Sequence, residues 1–457
     1  MKTKIIKIFV CLLMIATAVP VVTSLENNEV HSMILSHPLV SMAGNWSEEQ
    51  KLLASDGAAG DMFGYPVSVD GDTALIGAPQ DDDNGNDSGS VYVFIRSGTT
   101  WTQQAKLLAS DGETNDYFGN SVSLCGDTAL IGAFREDGDA YDSGSAYVFT
   151  RTGTTWTQQE KLLASDGAYG DNFGVWVALN GDTALIGACF DDNKGSAYVF
   201  IRNNTGNGTT WTQQAKLLAS DGAVNAQFGF SLSLEGDTAL IGALGSDGYK
   251  GAAYMFTRTG TTWTQQAKLL ASDGAAYDFF GVSVSLSGDT ALIGAYSDDD
   301  KGTDSGSAYV FTRNNTGNST TWEQQYKIVA PDGAANDQFG YRVALDGDTA
   351  LIGAWGDDDN GDASGSAYVF TRTGTIWTQQ AKLLPSDGTA GDQFGVGISL
   401  DGDTALIGAA LDDDNGEDSG SAYVFTRVQL PLPILDLVDI KGGLLGISVG
   451  LTNLGAG

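Results

Sequence analysis

The chain has 457 residues, enough for one large domain or two to three ordinary ones, with 61 glycines and only 8 prolines. Short apolar runs set among Ser, Thr, Asp and Asn, with no long amphipathic stretch, exclude a helical bundle and point to an all-β chain rich in turns. Its 57 acidic and 23 basic residues give a formal charge of −34, which argues against nucleic acid and anionic lipid as partners and suits cations or basic partners.

In chain order, residues 1–24 read as a secretory signal peptide. Lys2, Lys4 and Lys7 precede an apolar run from Ile8 to Val22, and the small residues Thr23 and Ser24 follow. An uncleaved membrane anchor is the competing reading, since the run is near the shortest length that spans a bilayer. Both readings export the rest of the chain, so a secreted or cell-surface protein is expected, with no membrane insertion once the signal is removed. Removal takes three lysines and no acid, moving the formal charge from −34 to −37. It also takes Cys11, leaving Cys125 and Cys189, which hold different positions in different repeats and are expected to be unpaired thiols. Residues 25–45 form a leader that carries both histidines, His31 and His37.

From Trp46 to Arg427 one unit repeats seven times. Phe-Gly recurs at Phe63, Phe118, Phe173, Phe228, Phe280, Phe339 and Phe394, at spacings of 55, 55, 55, 52, 59 and 55 residues, and a tryptophan keeps step from Trp46 to Trp377. Units of this length are too long for ankyrin or leucine-rich solenoids and suit a four-stranded propeller blade. In the second unit the apolar runs predict strand a at 101–109, b at 120–124, c at 128–133 and d at 145–151. Only Cys125-Gly126-Asp127 separates b from c, and a T-G-T-T turn separates d from the next a, both tight enough for hairpins. The longer a–b segment, 110–119, suits a crossing between blades. A blade is therefore b, c, d and the following a, from inside to outside. Residues 46–54 then lack a preceding d, and residues 421–427 lack a following a. Their pairing would close the ring. The expected fold is an all-β, seven-bladed propeller of four-stranded antiparallel blades over 46–427, closed by an N-terminal outer strand.

Phe63-Gly64 followed by Ile76-Gly77-Ala78-Pro79 spells FG…GAP, and the other six units carry FG…IGA without the proline. On these residues the chain resembles the FG-GAP repeat family, best known from the propeller of integrin α subunits. The resemblance implies an extracellular propeller that takes ligands on one loop-rich face. It departs at calcium. Integrin-like repeats hold the ion in a D-x-D-x-D-G-x-x-D loop between the FG and GA strands, whereas here that interval shrinks to Asp70-Gly71-Asp72 and its equivalents. Those sites are not carried over.

Because b and c are antiparallel, the start of b, the end of c and the a–b and c–d connections share one rim. The units differ most there, after Phe-Gly and after Gly-Ala, as a ring specialised around one asymmetric ligand would. Trp355, Tyr296, Arg342 and Trp176 are the leading contact candidates, with Tyr341 and Phe230 beside them, since aromatic residues and arginine dominate binding hot spots. The alternative is that these side chains pack between blades. The c–d connections also gather acid, and their alternating carboxylates around a glycine could ligate calcium. The candidate ligands are Asp81, Asp83, Asp87, Asp298, Asp300, Asp304, Asp357, Asp359, Asp412, Asp414 and Asp418. Solvated Asx turns are the competing reading.

N-glycosylation acceptor patterns occur at Asn45, Asn86, Asn203, Asn207, Asn314 and Asn318, four of them in two lengthened d–a turns on the opposite rim. No catalytic constellation stands out, and with both histidines in the leader the ring has no Ser-His-Asp or histidine–zinc chemistry. After Arg427 the repeat stops. Residues 428–457, with Pro431 and Pro433, read as a linker into an incomplete β segment of Ig-like character. The chain is thus expected to be an exported ligand-binding and adhesion module that takes an extracellular protein or glycan on its loop-rich rim and not to be an enzyme, with calcium as its only candidate cofactor. A structural surface-coat protein and an extracellular carboxylate-dependent polysaccharide lyase or hydrolase are the alternatives.

Overall fold

The computed structural model describes residues 45–205, 208–316 and 319–428. The signal peptide, all but the last residue of the leader, and the segment after Val428 lie outside the described residues. Tight x-G-D and T-G-T-T turns force sequential strands into antiparallel neighbours, and seven four-stranded sheets result. In blade 2 the order from the inside is Ser121–Cys125, Thr128–Ala133, Ser145–Thr152 and Thr155–Leu162. The outer strand before it, Thr100–Leu107, ends short of the expected residue 109, because the chain already turns there. Gly112 N–H donates to the Ala109 carbonyl, and Ala109 is buried under the turn.

The T-A-L-I-G-A strand is buried on both faces, which is why it reads as a continuous apolar run. Ile131 packs with Leu75, Val91 and Val93 of blade 1, while Leu130 packs with Phe173 and Ile186 of blade 3. The contact between blades is close enough to demand glycine. A Cβ at Gly132 would lie 2.0 Å from the Gly174 carbonyl oxygen. Each Phe-Gly phenylalanine stands edge-on to the tyrosine and phenylalanine of the third strand, as Phe63 does to Tyr92 at 5.3 Å and Phe94 at 6.1 Å.

The ring closes as expected. The N-terminal strand Asn45–Leu52 is the outer strand of blade 7, paired antiparallel with Ser421–Val428 in the register Trp46 to Arg427 and Leu52 to Ala422. A circuit of hydrogen bonds on the turn rim follows the same closure. Gly126 N–H donates to Asp70, Gly181 to Cys125 Sγ and Gly402 to Asp346, and Gly71 of blade 1 donates back to Asp401 of blade 7. Cys125 and Cys189 are free. Among the described residues no helix is long and apolar enough to cross a membrane.

Candidate functional site

Ser121 pairs with Gly132 at the top of blade 2 and Cys125 with Thr128 at its foot, so inner-strand starts and second-strand ends share a rim with the crossings and the c–d loops. The acidic loops of this rim are organised around lysine. In blade 6, Lys382 Nζ of the outer strand lies 3.0 Å from Asp332, 2.8 Å from Asp357 and 2.7 Å from Asp359, and 5.1 Å from the centre of the Tyr368 ring. Tyr368 donates its hydroxyl to Asp357 at 2.9 Å. Burial works to lower the lysine pKa, but its hydrogen bonds to Asp357, Asp359, Tyr368 and Asp332 raise it on balance.

The same set recurs around Lys51, Lys106 and Lys327. Asp81, Asp83, Asp298, Asp300, Asp357, Asp359, Asp412 and Asp414 therefore each meet an ammonium group within 3.0 Å. Asp87, Asp304 and Asp418 sit elsewhere, on left-handed backbone at φ of 53°, 53° and 55°, with their N–H groups donating to Asp82, Asp299 and Asp413.

At the ring axis the geometry differs. Arg342, the first residue of the inner strand of blade 6, is 8% exposed and stacks on Trp176 at 4.6 Å and on Tyr341 at 4.5 Å. Trp176 belongs to blade 3 and reaches Arg342 across the ring. A β-bulge between Phe173 and Val177 takes it off the ladder, and a similar bulge before Ser231 does this to Phe230. Arg342 Nη1 donates to the Tyr341 carbonyl at 3.4 Å, and the Tyr65 hydroxyl lies near both Tyr341 and Arg342. The neighbouring Tyr341, then burial, push the Tyr65 hydroxyl up to about 12 against the opposing charge of Arg342.

A cavity of about 60 Å³ opens here, lined by Tyr65, Asn120, Ser121, Trp176 and Arg342. Among the described residues Arg342 has no carboxylate partner, and the same holds for Arg135, Lys194, Lys250 and Lys301 on the c–d loops of blades 2 to 5. Every other described lysine or arginine belongs to a repeated ion pair, such as Lys106 with Asp81 or Arg96 with Asp72.

From Arg342 an aromatic track runs outward. Tyr341 meets Trp355 at 6.0 Å and Tyr296 at 5.6 Å, Tyr296 stacks on Phe279 at 5.2 Å, and Phe279 meets both members of a stacked pair, Tyr249 and Tyr277. The end of the track is open, with Tyr277 62% exposed. The backbone there is strained. Tyr249, Tyr277 and Phe279 adopt φ of 65°, 74° and 56°, in columns where the other units mostly place Asn, Asp, Gly or Gln. Left-handed backbone at a bulky residue costs about 1–3 kcal/mol, and such strain concentrates at functional positions. The structure thus brings Trp355, Tyr296, Tyr341, Arg342 and Trp176 into one connected group. Phe230 makes no ring contact among the described residues.

Comparison with known families matches the FG-GAP repeat at residues 46–94, 101–149, 156–200, 211–256, 263–311, 322–370 and 377–425, most of the chain. The chain belongs to the FG-GAP repeat family. Propellers of this family are commonly extracellular and ligand-binding. Among solved structures, a chain in the crystal structure of a mitotic checkpoint complex is similar over 88% of this chain and 99% of its own, at 13% identity and a TM-score of 0.49. That likeness carries no functional argument.

In this FG-GAP ring the acidic loops can be tested for calcium by their chemistry. Asp273, Asp298 and Asp300 each bring a carboxylate oxygen within 4.8 Å of the others, a spacing that suits a cation. Lys327 supplies that cation at 2.7 to 3.0 Å from all three. An ion could enter this nest only by displacing the ammonium, so the nest does not fit calcium while the lysine is in place.

Among the acceptor asparagines, Asn45 and Asn86 are exposed, Asn203 and Asn314 donate across their hairpins to Thr212 and Glu323, and Asn207 and Asn318 lie outside the described residues. Of the six patterns, that of Asn86 lies on the loop rim of the FG-GAP ring. Sequence reasoning missed the lysines, which look like solvated outer-strand residues. It also missed Tyr249, Tyr277 and Phe279, although the three place aromatics in columns where the other units mostly have Asn, Asp, Gly or Gln.

Proposed function

We propose that this protein is an exported FG-GAP propeller that binds an extracellular protein or glycan through its loop rim, without catalysis. The observation that carries the reading is the continuous group from Tyr277 to Arg342 and Trp176. It departs from the repeat, runs from the junction of blades 4 and 5 to blade 6 and across the ring to Trp176 of blade 3, and faces the rim where the loops vary. Exposed aromatic surface flanked by polar groups marks interaction sites on folded proteins. The opposite rim repeats the same x-G-D turn in every blade and departs from the repeat in the two lengthened hairpins of blades 3 and 5, which carry acceptor asparagines and no aromatic track.

The test is an array of extracellular glycans and proteins probed with the mature chain and with Tyr296→Ala and Trp355→Ala. The reading expects selective binding by the wild type that both variants weaken, with melting temperatures little changed. If both variants bind as the wild type does, ligand recognition lies elsewhere.

A further inference from the structure

We propose that the rim ligand is an oligosaccharide bearing a carboxylate, with its sugar rings on the aromatic track across blades 4 to 6 and its carboxylate on Arg342 at the ring axis. This rests on the reading that the loop rim binds an extracellular ligand.

Three features favour this occupant. The first is Arg342, a residue 8% exposed with no carboxylate partner among the described residues, its guanidinium held against the faces of Trp176 and Tyr341 beside a cavity of about 60 Å³. A planar fork in this setting pairs best with a planar anion, and removal from water strengthens the attraction. The cavity has room for a carboxylate but not for a sugar ring, so the acid enters as a pendant or terminal group.

The second feature is the chemistry of the track. Its rings are mostly tyrosines, which offer a flat face to the C–H side of a pyranose and a hydroxyl to its O–H groups. Near the outer end, between the loop that carries Tyr249 and the crossing that carries Tyr277, a cleft of about 260 Å³ lined by Asp247, Lys250, Gly251, Leu270, Ala271 and Gly274 has room for one ring. Leu270 is 46% exposed in this cleft. Left-handed backbone recurs in the same columns of other repeats, but only at this junction do three aromatic side chains, Tyr249, Tyr277 and Phe279, occupy it together among the described residues.

The third is what the surface rejects. A peptide adding to a sheet needs an exposed strand edge, and this rim presents loops instead. A densely sulfated polymer would meet a chain of formal charge −34, whereas a glycan with sparse carboxylates can bring a single anion to Arg342 at the axis.

Calorimetric titration of the mature chain decides the matter. The probes are a panel of galacturonate, glucuronate, mannuronate and sialyl oligosaccharides, their carboxyl-reduced counterparts, and an Asp/Glu-rich peptide. At least one acidic oligosaccharide should bind about tenfold or more tighter than its reduced form, as expected for a charge-assisted bidentate pair. Arg342→Gln should abolish that preference, and Tyr277→Ala should weaken both forms equally. Tyr277 is exposed, so its variant keeps the test decisive even if Arg342→Gln does not fold.

Equal affinity for acidic and reduced forms would overturn the role of Arg342. Binding of the peptide with no glycan bound would overturn the sugar assignment while the rim reading stands. Silence across the whole panel would also defeat the proposal, and the broader array would then show whether the rim binds anything.

Discussion

Replacing Lys382 by Met, which keeps much of the stem but removes the charge, probes the chemistry that orders the loop rim. The ammonium lies 2.7 to 3.0 Å from Asp332, Asp357 and Asp359. Asp357 is 4% exposed, and removing the partner of a buried charge costs about 3–5 kcal/mol. The side chains of Asp332 and Asp359 are each 50% exposed, where a pair is worth only about 0–1 kcal/mol. The Tyr368 hydroxyl at 2.9 Å and the Asp359 N–H at 3.1 Å still serve Asp357 in the variant. A net loss of about 2–4 kcal/mol follows.

The double variant Lys382→Met/Asp357→Asn should recover much of this, because the stranded charge is gone. Calcium should partly replace the ammonium. For sites of about 10⁻⁴–10⁻³ M, 10 mM calcium would return about 1.4–2.7 kcal/mol. The readout is urea unfolding in calcium and in sodium chloride of equal ionic strength. The calcium-specific gain should be larger for Lys382→Met than for the wild type, where the lysine must first be displaced. An unchanged unfolding midpoint for Lys382→Met, or equal gains in the two salts, would refute the account of these loops.

Stability should peak at mildly acidic pH. Burial pushes the carboxyls of Asp61, Asp116 and Asp337 up to about 6, so their contribution is fully present below the ordinary value of 3.8 and is lost as pH rises through about 6. For Asp56, Asp111 and Asp332, burial pushes upward but the lysine hydrogen bonds prevail and hold them below 3.8, so their contribution is lost as pH falls past that value. Calorimetry should find the highest melting temperature between pH 4 and 6, and a steady rise to pH 8 would contradict these assignments. Deleting residues up to Ala54 should expose Ser421–Val428 as an edge and strip Lys51 from Asp387, Asp412 and Asp414, giving aggregation or a lost cooperative melt. A truncated chain that melts like the mature protein would show that the ring does not need this strand.

The architecture was legible because it is periodic. Phe-Gly spacing set the number of blades, hairpin length set which strands share a sheet, and the unpaired runs at Trp46 and Ser421 required each other. The lysine clusters were not legible, because each joins residues from separate segments. Lys106 meets Asp81 25 residues away and Asp56 50 residues away. Neither separation corresponds to a local motif. The pairing of Arg342 with Trp176 depends on ring closure and on the bulge that displaces Trp176. Tyr249, Tyr277 and Phe279 did leave a signal, since bulky aromatics replace mostly Asn, Asp, Gly or Gln in left-handed columns. Reading it required knowing which columns are left-handed.

Hydrogen–deuterium exchange of the mature chain with and without its array-selected ligand tests the central claim most directly, because it maps the bound face without any substitution. The account predicts protection in the crossing before Phe280, in the loops after Ala295 and Ala354, and around Tyr341 and Arg342, with the x-G-D turns unchanged. Protection confined to those turns, or to the outer strands, would contradict a loop-rim binding site.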